Sequence, residues 1–353
     1  MMIPTEPIGS IPRPPALVAA WREGRDPAEL ALLAGEAVRA TIAELEALGC
    51  PVVSDGEQAK FGNFWCYPVD GAPNMAPDGF HIPLAGGHGQ RMPRLVRGPL
   101  RYQRYADEYL SAARRHATQP VKQAVISPSA LSLIYPAEGI ADYPREHFLD
   151  DLVREHETEV RRCLEAGAHK VQIDFAHARL AMQLDPGGAL LSSFIDLDNL
   201  ALGRFSPEQR ALIGVHVSAA PWSDGASALD AEYAELLPAL FELRTGNVYL
   251  SLAGSSDPAR TLRIVRDYAR PEQRIFVGVT DPSNPQVETP EQVRDRVLFA
   301  ADFIAPERLG TTDDSGFAPF FDDAGLGRAT AFAKIRARVE GTRLASAILG
   351  GAP

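Results

Sequence analysis

The sequence predicts a (β/α)8 TIM barrel, an α/β fold of eight parallel strands each followed by a helix. Three observations carry that reading. Eight short extended segments alternate with helical ones along the 353 residues, and eight is a number at which a parallel sheet closes on itself. Polar residues collect at the carboxyl ends of these segments. In KVQIDFAHARL (170–180), for example, Val171, Ile173 and Phe175 alternate with Gln172 and Asp174. The alternative, a doubly wound open sheet, leaves eight regular units unexplained and expects a G-x-G-x-x-G at its first helix, which this chain lacks. Residues 1–353 are therefore read as one barrel domain, with an inserted loop and hairpin excursion at 60–105 after strand 2.

In chain order, Pro7-Ile8-Gly9-Ser10 ends a short extended start, and Pro12, Pro14 and Pro15 argue against any helix before Leu17. Asp26-Pro27 opens a helix to about Leu48, with Gly49 as its stop. PVVSDGE (51–57) is the second strand and ends in Asp55 and Glu57. Residues 60–105 are dense in proline, glycine and aromatic side chains and hold no helical period, so they read as hairpins and loops of the kind that form lids or binding walls. A helix over 106–117 leads to the third strand, PVKQAVISPS (120–129), which Ser127-Pro128-Ser129 breaks. Tyr143-Pro144 starts the helix that delivers the strand of Asp174, and a helix over 191–202 follows it. Strands at 213–218, 247–253, 274–280 and 309–313 then alternate with helices at 230–243, 258–268, 290–303 and 327–349.

Composition narrows the function. Hydrophobic residues at 45% and charged residues at 23% are those of a soluble globular chain. No apolar run approaches the ~18 residues of a membrane span, and MMIPTEPIGS is no secretory leader, so a cytoplasmic protein without a membrane partner is expected. A net charge of −11 with no basic stripe argues against nucleic acid. Cys50, Cys66 and Cys163 are odd in number and far apart, as reduced thiols are. No C-x-x-C, H-E-x-x-H or G-x-S-x-G occurs. The expected partner is a small-molecule substrate, and nothing in the sequence specifies an oligomeric state.

Strand ends in a barrel share one mouth. Here they deliver Ser10, Glu57, Ser127, Asp174, His216, Ser218, Asp281, Asp313 and Asp314, with His177 just past one strand. Carboxylates dominate, which suits a small cationic or amine-bearing ligand. Crowded carboxylates also supply acid/base groups. Glu57, Asp174, His177, His216 and Asp313 are the candidate catalytic groups. Each has a bland alternative: a helix cap or loop tie for the acids, a satisfied core imidazole for the histidines.

PIGSIPRP, VVSDGEQ, VKQAVISPSALSLIYP, KVQIDF, IGVHV, RIFVGV and LGTTDDSGF together resemble the cobalamin-independent methionine synthase family. The similarity is to its single-barrel members, related to the C-terminal catalytic half, and runs over nearly the full chain. The resemblance implies a (β/α)8 barrel that moves a methyl group from a methyltetrahydrofolate to homocysteine, with zinc activating the thiol. It implies that Ile8 and Ser10 hold an amino-acid carboxylate and that Glu57 and Asp174 hold its ammonium group.

The zinc positions depart from the family. Its His-x-Cys is His216-Val217-Ser218 here, its glutamate falls at Ser255, and its second cysteine is Ser315. A serine hydroxyl is a poor zinc ligand because its alkoxide is far too basic at neutral pH. No catalytic zinc and no other cofactor is predicted, and a folate is implied through the resemblance alone. The loop TDPSNPQ after the seventh strand also lacks the family's histidine. The expectation is a methionine-synthase-like transferase or lyase acting on a small amino-acid-like substrate by metal-free acid/base chemistry. Ser127, Ser218, Ser255 and Ser315 would contact that substrate. The alternatives are the family's zinc-dependent homocysteine S-methyltransferase and a non-catalytic ligand-binding pseudoenzyme.

Overall fold

Short runs of β-branched residues, cut off by proline, glycine and helix caps, give strands of four to seven residues that pair in parallel. The computed structural model describes residues 2–61, 64–83, 89–218, 226–321 and 325–350. The excursion holds four short strands in two antiparallel pairs. β1 (Met75–Ala76) pairs with β4 (Arg94–Leu95), and β2 (His81–Pro83) with β3 (Gly89–Arg91). β5 (Gln123–Ile126), β6 (Val171–Asp174), β7 (Ile213–Val217), β8 (Asn247–Leu250), β9 (Arg274–Thr280) and β10 (Leu309–Asp313) form one parallel sheet in sequence order. Helices such as Arg145–Glu165, Pro258–Tyr268, Pro290–Ala301 and Arg328–Leu349 connect or flank these strands.

The two opening segments join this sheet by single bridges. Thr5 pairs with Thr311 of β10, and Val53 pairs with Val121 beside β5. Pro4, Pro7 and Pro51 lack the N–H that a longer ladder needs. The expected strand at 51–57 is thus one bridge followed by a turn. Ile11 N donates to Gly56 O (3.0 Å) and Ser54 Oγ to Gly9 O (3.0 Å), so the two segments touch each other. Among the described residues no ladder joins them. The α/β barrel therefore has a regular six-stranded sheet with an irregular seam. A helix also begins earlier than expected, at Pro15, because proline fits the first helical position.

The register sorts side chains between two faces. Asp174, His216, Tyr249, Phe276 and Gly310 are successive partners across the sheet and share the inner face. Tyr249 and Phe276 stack there with ring centres 4.7 Å apart, and Ile8 packs on both. Glycine makes room for the rings: a Cβ on Gly214 would lie 2.5 Å from Tyr249, and one on Gly310 2.5 Å from Phe276. Val125, Ile173, Val215, Val217, Val248, Leu250, Val277 and Leu309 take the outer face and form the main core with the helices.

Overpacking costs about 1–3 kcal/mol in a filled interior. Gly310→Ala should lower the urea midpoint accordingly, because the Phe276 ring is pinned by Tyr249 and cannot retreat. Gly35→Ala meets nothing within 4 Å in the helix Pro27–Ala47. It should leave the midpoint unchanged or raise it slightly.

Candidate functional site

The sharpest local feature is the turn after Val53. Gly56 and Glu57 both have positive φ, 66° and 55°. For Glu57, which carries a Cβ, such a conformation costs on the order of 1 kcal/mol and needs support. Its support is dense. Glu57 N donates to Asp55 Oδ1 (2.9 Å), Gln58 Nε2 donates to Ile11 O (2.8 Å), and Arg13 Nη2 donates to Glu57 O (2.7 Å). The turn lays the Glu57 carboxylate over Gly9, 3.9 Å from where a Cβ would be.

Glu57 Oε1 accepts from Lys60 Nζ at 2.8 Å, with both side chains buried. Lys60 also donates to Ala124 O (3.1 Å) and lies 4.7 Å from the Tyr67 ring centre. Burial raises the Glu57 carboxyl above its ordinary pKa. Lys60 pulls it down again, while Asp174 and Asp55 push it further up. Asp55 Oδ2 is buried with no partner among the described residues.

Asp174 ends β6. Its Oδ1 accepts from Gln172 Nε2 (2.8 Å) and faces His216 Nδ1 at 3.2 Å. His216 Nε2 is buried without a partner among the described residues. Behind Gln172 lies a charged interior that sequence reasoning missed. Lys122 Nζ donates to Gln172 Oε1 (2.7 Å) and sits 3.8 Å from Glu6 Oε2. Lys170 Nζ donates to Glu6 Oε1 (2.6 Å), and Tyr249 OH to Glu6 Oε2 (2.6 Å). Burial pushes Lys122 down to about 7, with Glu6 pulling the other way. Burial alone would raise Glu6, but His169, Lys122 and Lys170 hold it well below the usual carboxylate range. Polar residues at alternate positions, Lys122 and then Lys170-Gln172-Asp174, were the signal available in the sequence.

The other predicted residues are spread more widely. Ile8 belongs to the Tyr249–Phe276 cluster. Ser10 is buried; its Oγ accepts from Ala318 N (3.3 Å), which fastens the loop after β10. Ser127 caps the helix Pro128–Leu131, accepting from Ala130 N (3.2 Å). Ser218 is half-buried just past β7. Ser255 Oγ accepts from Asp257 N (3.3 Å), and Ser315 Oγ donates to Gly316 O (3.2 Å). His177 is buried with its ring centre 4.9 Å from that of Trp65, and burial pulls its pKa down to about 3.

Asp313 needs correcting as a member of this cluster. It shares the outer face with Leu309 and Thr311, where its Oδ1 lies 3.0 Å from Arg338 Nε and accepts from Thr280 Oγ1 (2.7 Å). Asp314 turns inward instead. It accepts from Leu252 N, Ala253 N and Gly254 N at 2.7–2.9 Å, and burial raises it to about 7 against those bonds.

No protein-family profile matches the chain. The chain is 24% identical over 352 residues to methionine synthase of Sulfurisphaera tokodaii, spanning 97% of this chain and 92% of that protein. Among solved structures, a B12-independent methionine synthase from Shewanella sp. W3-18-1, in complex with selenomethionine, superposes with a TM-score of 0.76. Its identity is 20%, over 99% of both chains. A putative vitamin-B12 independent methionine synthase from Listeria monocytogenes gives 0.71 at 16% identity, over 97% of this chain and 98% of that one. A methyltransferase from Methanosarcina mazei gives 0.55 at 12%, over 97% and 94%. The chain resembles methionine synthase along almost its whole length. The fold is the methionine synthase barrel, and the resemblance supports an enzyme of the methyl-transfer class.

A zinc ion takes thiolate, imidazole or carboxylate ligands in a tetrahedral set. Of the four positions that the resemblance aligns with such a set, His216 alone offers one of these groups, through Nε2, since Nδ1 faces Asp174. Ser218, Ser255 and Ser315 offer neutral hydroxyls, and the last two already hydrogen-bond to backbone. Among the described residues no three His, Cys, Asp or Glu side chains are arranged to hold a metal ion. On ligand chemistry, Ser218, Ser255 and Ser315 are poor zinc donors.

With a pKa held near 3, His177 keeps a neutral ring across the physiological range. Its ring proton shifts should stay fixed between pH 5 and 8 in a proton NMR titration. A midpoint near 6.5, the ordinary imidazole value, would show that the Trp65 side of the site is wetter than this packing.

Proposed function

We propose that the protein transfers a methyl or small alkyl group to or from an amino-acid-like substrate, which it binds through the ammonium group, without a zinc thiolate. The observation that carries this is an imbalance of acceptors over donors. Asp55, Glu57 and Asp174 bring three buried carboxylates around Lys60, with Lys122 acting on Asp174 from behind and Arg13 donating to the backbone carbonyl of Glu57. Asp55 Oδ2 has no partner among the described residues. A cationic ligand relieves that imbalance. The selenomethionine bound by the Shewanella relative supports an amino acid as that ligand. By the resemblance, Ile8 and Ser10 would face its carboxylate.

His216 supplies the base. With Nδ1–H donated to Asp174, Nε2 is free to take the proton of the acceptor atom as that atom attacks the methyl carbon. The acceptor–carbon bond forms as the donor–carbon bond breaks, and the donor leaves with the electron pair. By the resemblance, the hydroxyls of Ser218, Ser255 and Ser315 fall at the family's metal-ligand positions and would hydrogen-bond the substrate.

The test incubates the protein with methionine, selenomethionine, homocysteine and related amino acids, alone and with methyl donors that include methyltetrahydrofolate. Products are read by mass spectrometry with and without a metal chelator. Methylated or demethylated product that is indifferent to the chelator is expected. Asp174→Asn should lower kcat/KM about a hundredfold, the loss of one buried charge-assisted contact of roughly 2–3 kcal/mol. Turnover abolished by the chelator and restored by zinc would replace this reading with the metal-dependent one. Fragmented substrate would make the protein a lyase, and saturable binding without product would make it a binding protein.

A further inference from the structure

We propose that Gln172 and Lys122 are positioning residues that divide the Asp174 carboxylate between two tasks, Oδ1 for His216 and Oδ2 for the substrate ammonium. This rests on the amino-acid-binding reading above. The argument is one of hydrogen-bond direction. An ionised carboxylate only accepts, so Asp174 requires the N–H of Gln172, which it meets at 2.8 Å. That turns Oε1 of Gln172 toward Lys122 Nζ, which donates to it at 2.7 Å. The carboxylate end sets the amide orientation, and Lys122 holds the other end in place.

Asp174 Oδ1 then accepts from both Gln172 Nε2 and His216 Nδ1. That occupies its two in-plane lone-pair directions. Oδ2 receives no hydrogen bond from the described residues, and the side chain keeps 11% exposure. It is the oxygen left for a ligand. The same chain of bonds sets the His216 tautomer. Nδ1 must carry the proton to meet Oδ1, so Nε2, buried and without a partner among the described residues, is a bare acceptor. Lys122 is itself held in place from the far side by Glu6 Oε2 at 3.8 Å and by the Tyr249 ring, whose centre lies 3.9 Å away. An unbroken run of contacts therefore leads from the inner end of the barrel to the reacting imidazole, and no member of it before Asp174 needs to touch substrate.

The tautomer of His216 is the readout, because a merely structural role for Gln172 would leave it unmoved. Protein labelled with 15N-histidine is examined by long-range proton–nitrogen correlation spectra, with His216→Gln assigning the signals. The neutral ring of the wild type should be protonated at Nδ1 and bare at Nε2. Gln172→Met, which keeps length but makes neither bond, should lose that signature in favour of mixed tautomers. Lys122→Arg should retain it, and Lys122→Met should lose it. Circular dichroism screens each variant for folding, and if Lys122→Met does not fold, the wild type and Gln172→Met decide. A wild-type ring protonated at Nε2, or an unchanged tautomer in folded Gln172→Met, would overturn the proposal. Neither outcome depends on turnover, so failure of the enzyme reading shows separately, as absence of product with the tautomer intact.

Discussion

Glu6 holds the inside of this sheet together. Its two carboxylate oxygens meet Lys170, Tyr249 and Lys122, in an interior where it is itself 1% exposed. Removing one member of a buried ion set costs far more than the set contributes as a whole, because it strands a charge without solvent. Two lysines here depend on one acid. The same Lys122 orients Gln172, and Gln172 holds Asp174. The ground state of the candidate site is thus an extension of the charge pairing that makes a polar barrel interior tolerable. The fold and the site share one electrostatic constraint.

The excursion enters the site from the other side. Lys60, its first residue, is the counter-ion of Glu57 and lies over the Tyr67 ring. Tyr67 OH in turn donates to Glu159 Oε1 (2.7 Å) on the helix Arg145–Glu165. Glu159 is raised to about 7 by burial, so near neutrality it carries only part of a charge. An inserted stretch with little regular structure is therefore fixed to the barrel by polar contacts from two directions. Trp65, Tyr67, Met92, Leu95 and Leu100 then join the main apolar core. The acidic turn at Asp55–Glu57 lies between this insert and the start of the chain, and the strained φ of Glu57 is held in place by both.

What the sequence made legible follows from periodicity. Period-2 alternation with polar strand ends was enough to place Asp174 and His216, which the structure then pairs across neighbouring strands. Alternation alone does not say which face is inward. LGTTDD offered two adjacent acids at its end, and only the register with β9, with its irregularity between Thr312 and Asp313, sends Asp313 to Arg338 and Asp314 inward. Proline density around Thr5 and Val53 was visible, yet its consequence, one bridge in place of a strand, depends on which N–H groups the neighbouring strands require. Lys60, Lys122 and Gln172 escaped notice because a lysine or glutamine beside apolar residues reads as a solvated position until a closing barrel buries it.

A site with hydroxyls where the resembled family has thiolates would change what its base can accomplish. A metal centre lowers the pKa of whatever binds it, so it can activate acceptors that are weak acids. A side-chain base without a metal has no such reach. Water and simple alcohols lie far beyond it. Under metal-free chemistry the acceptor must therefore be a thiol, or another acid of similar strength, or a neutral amine or thioether that attacks before it loses any proton. The acidic cluster sharpens this choice. The carboxylates of Asp55, Glu57 and Asp174 disfavour an anionic acceptor beside them and favour a transition state that develops positive charge on sulfur or nitrogen. A site with this charge balance is better suited to forming or breaking an onium-like centre than to holding a free thiolate.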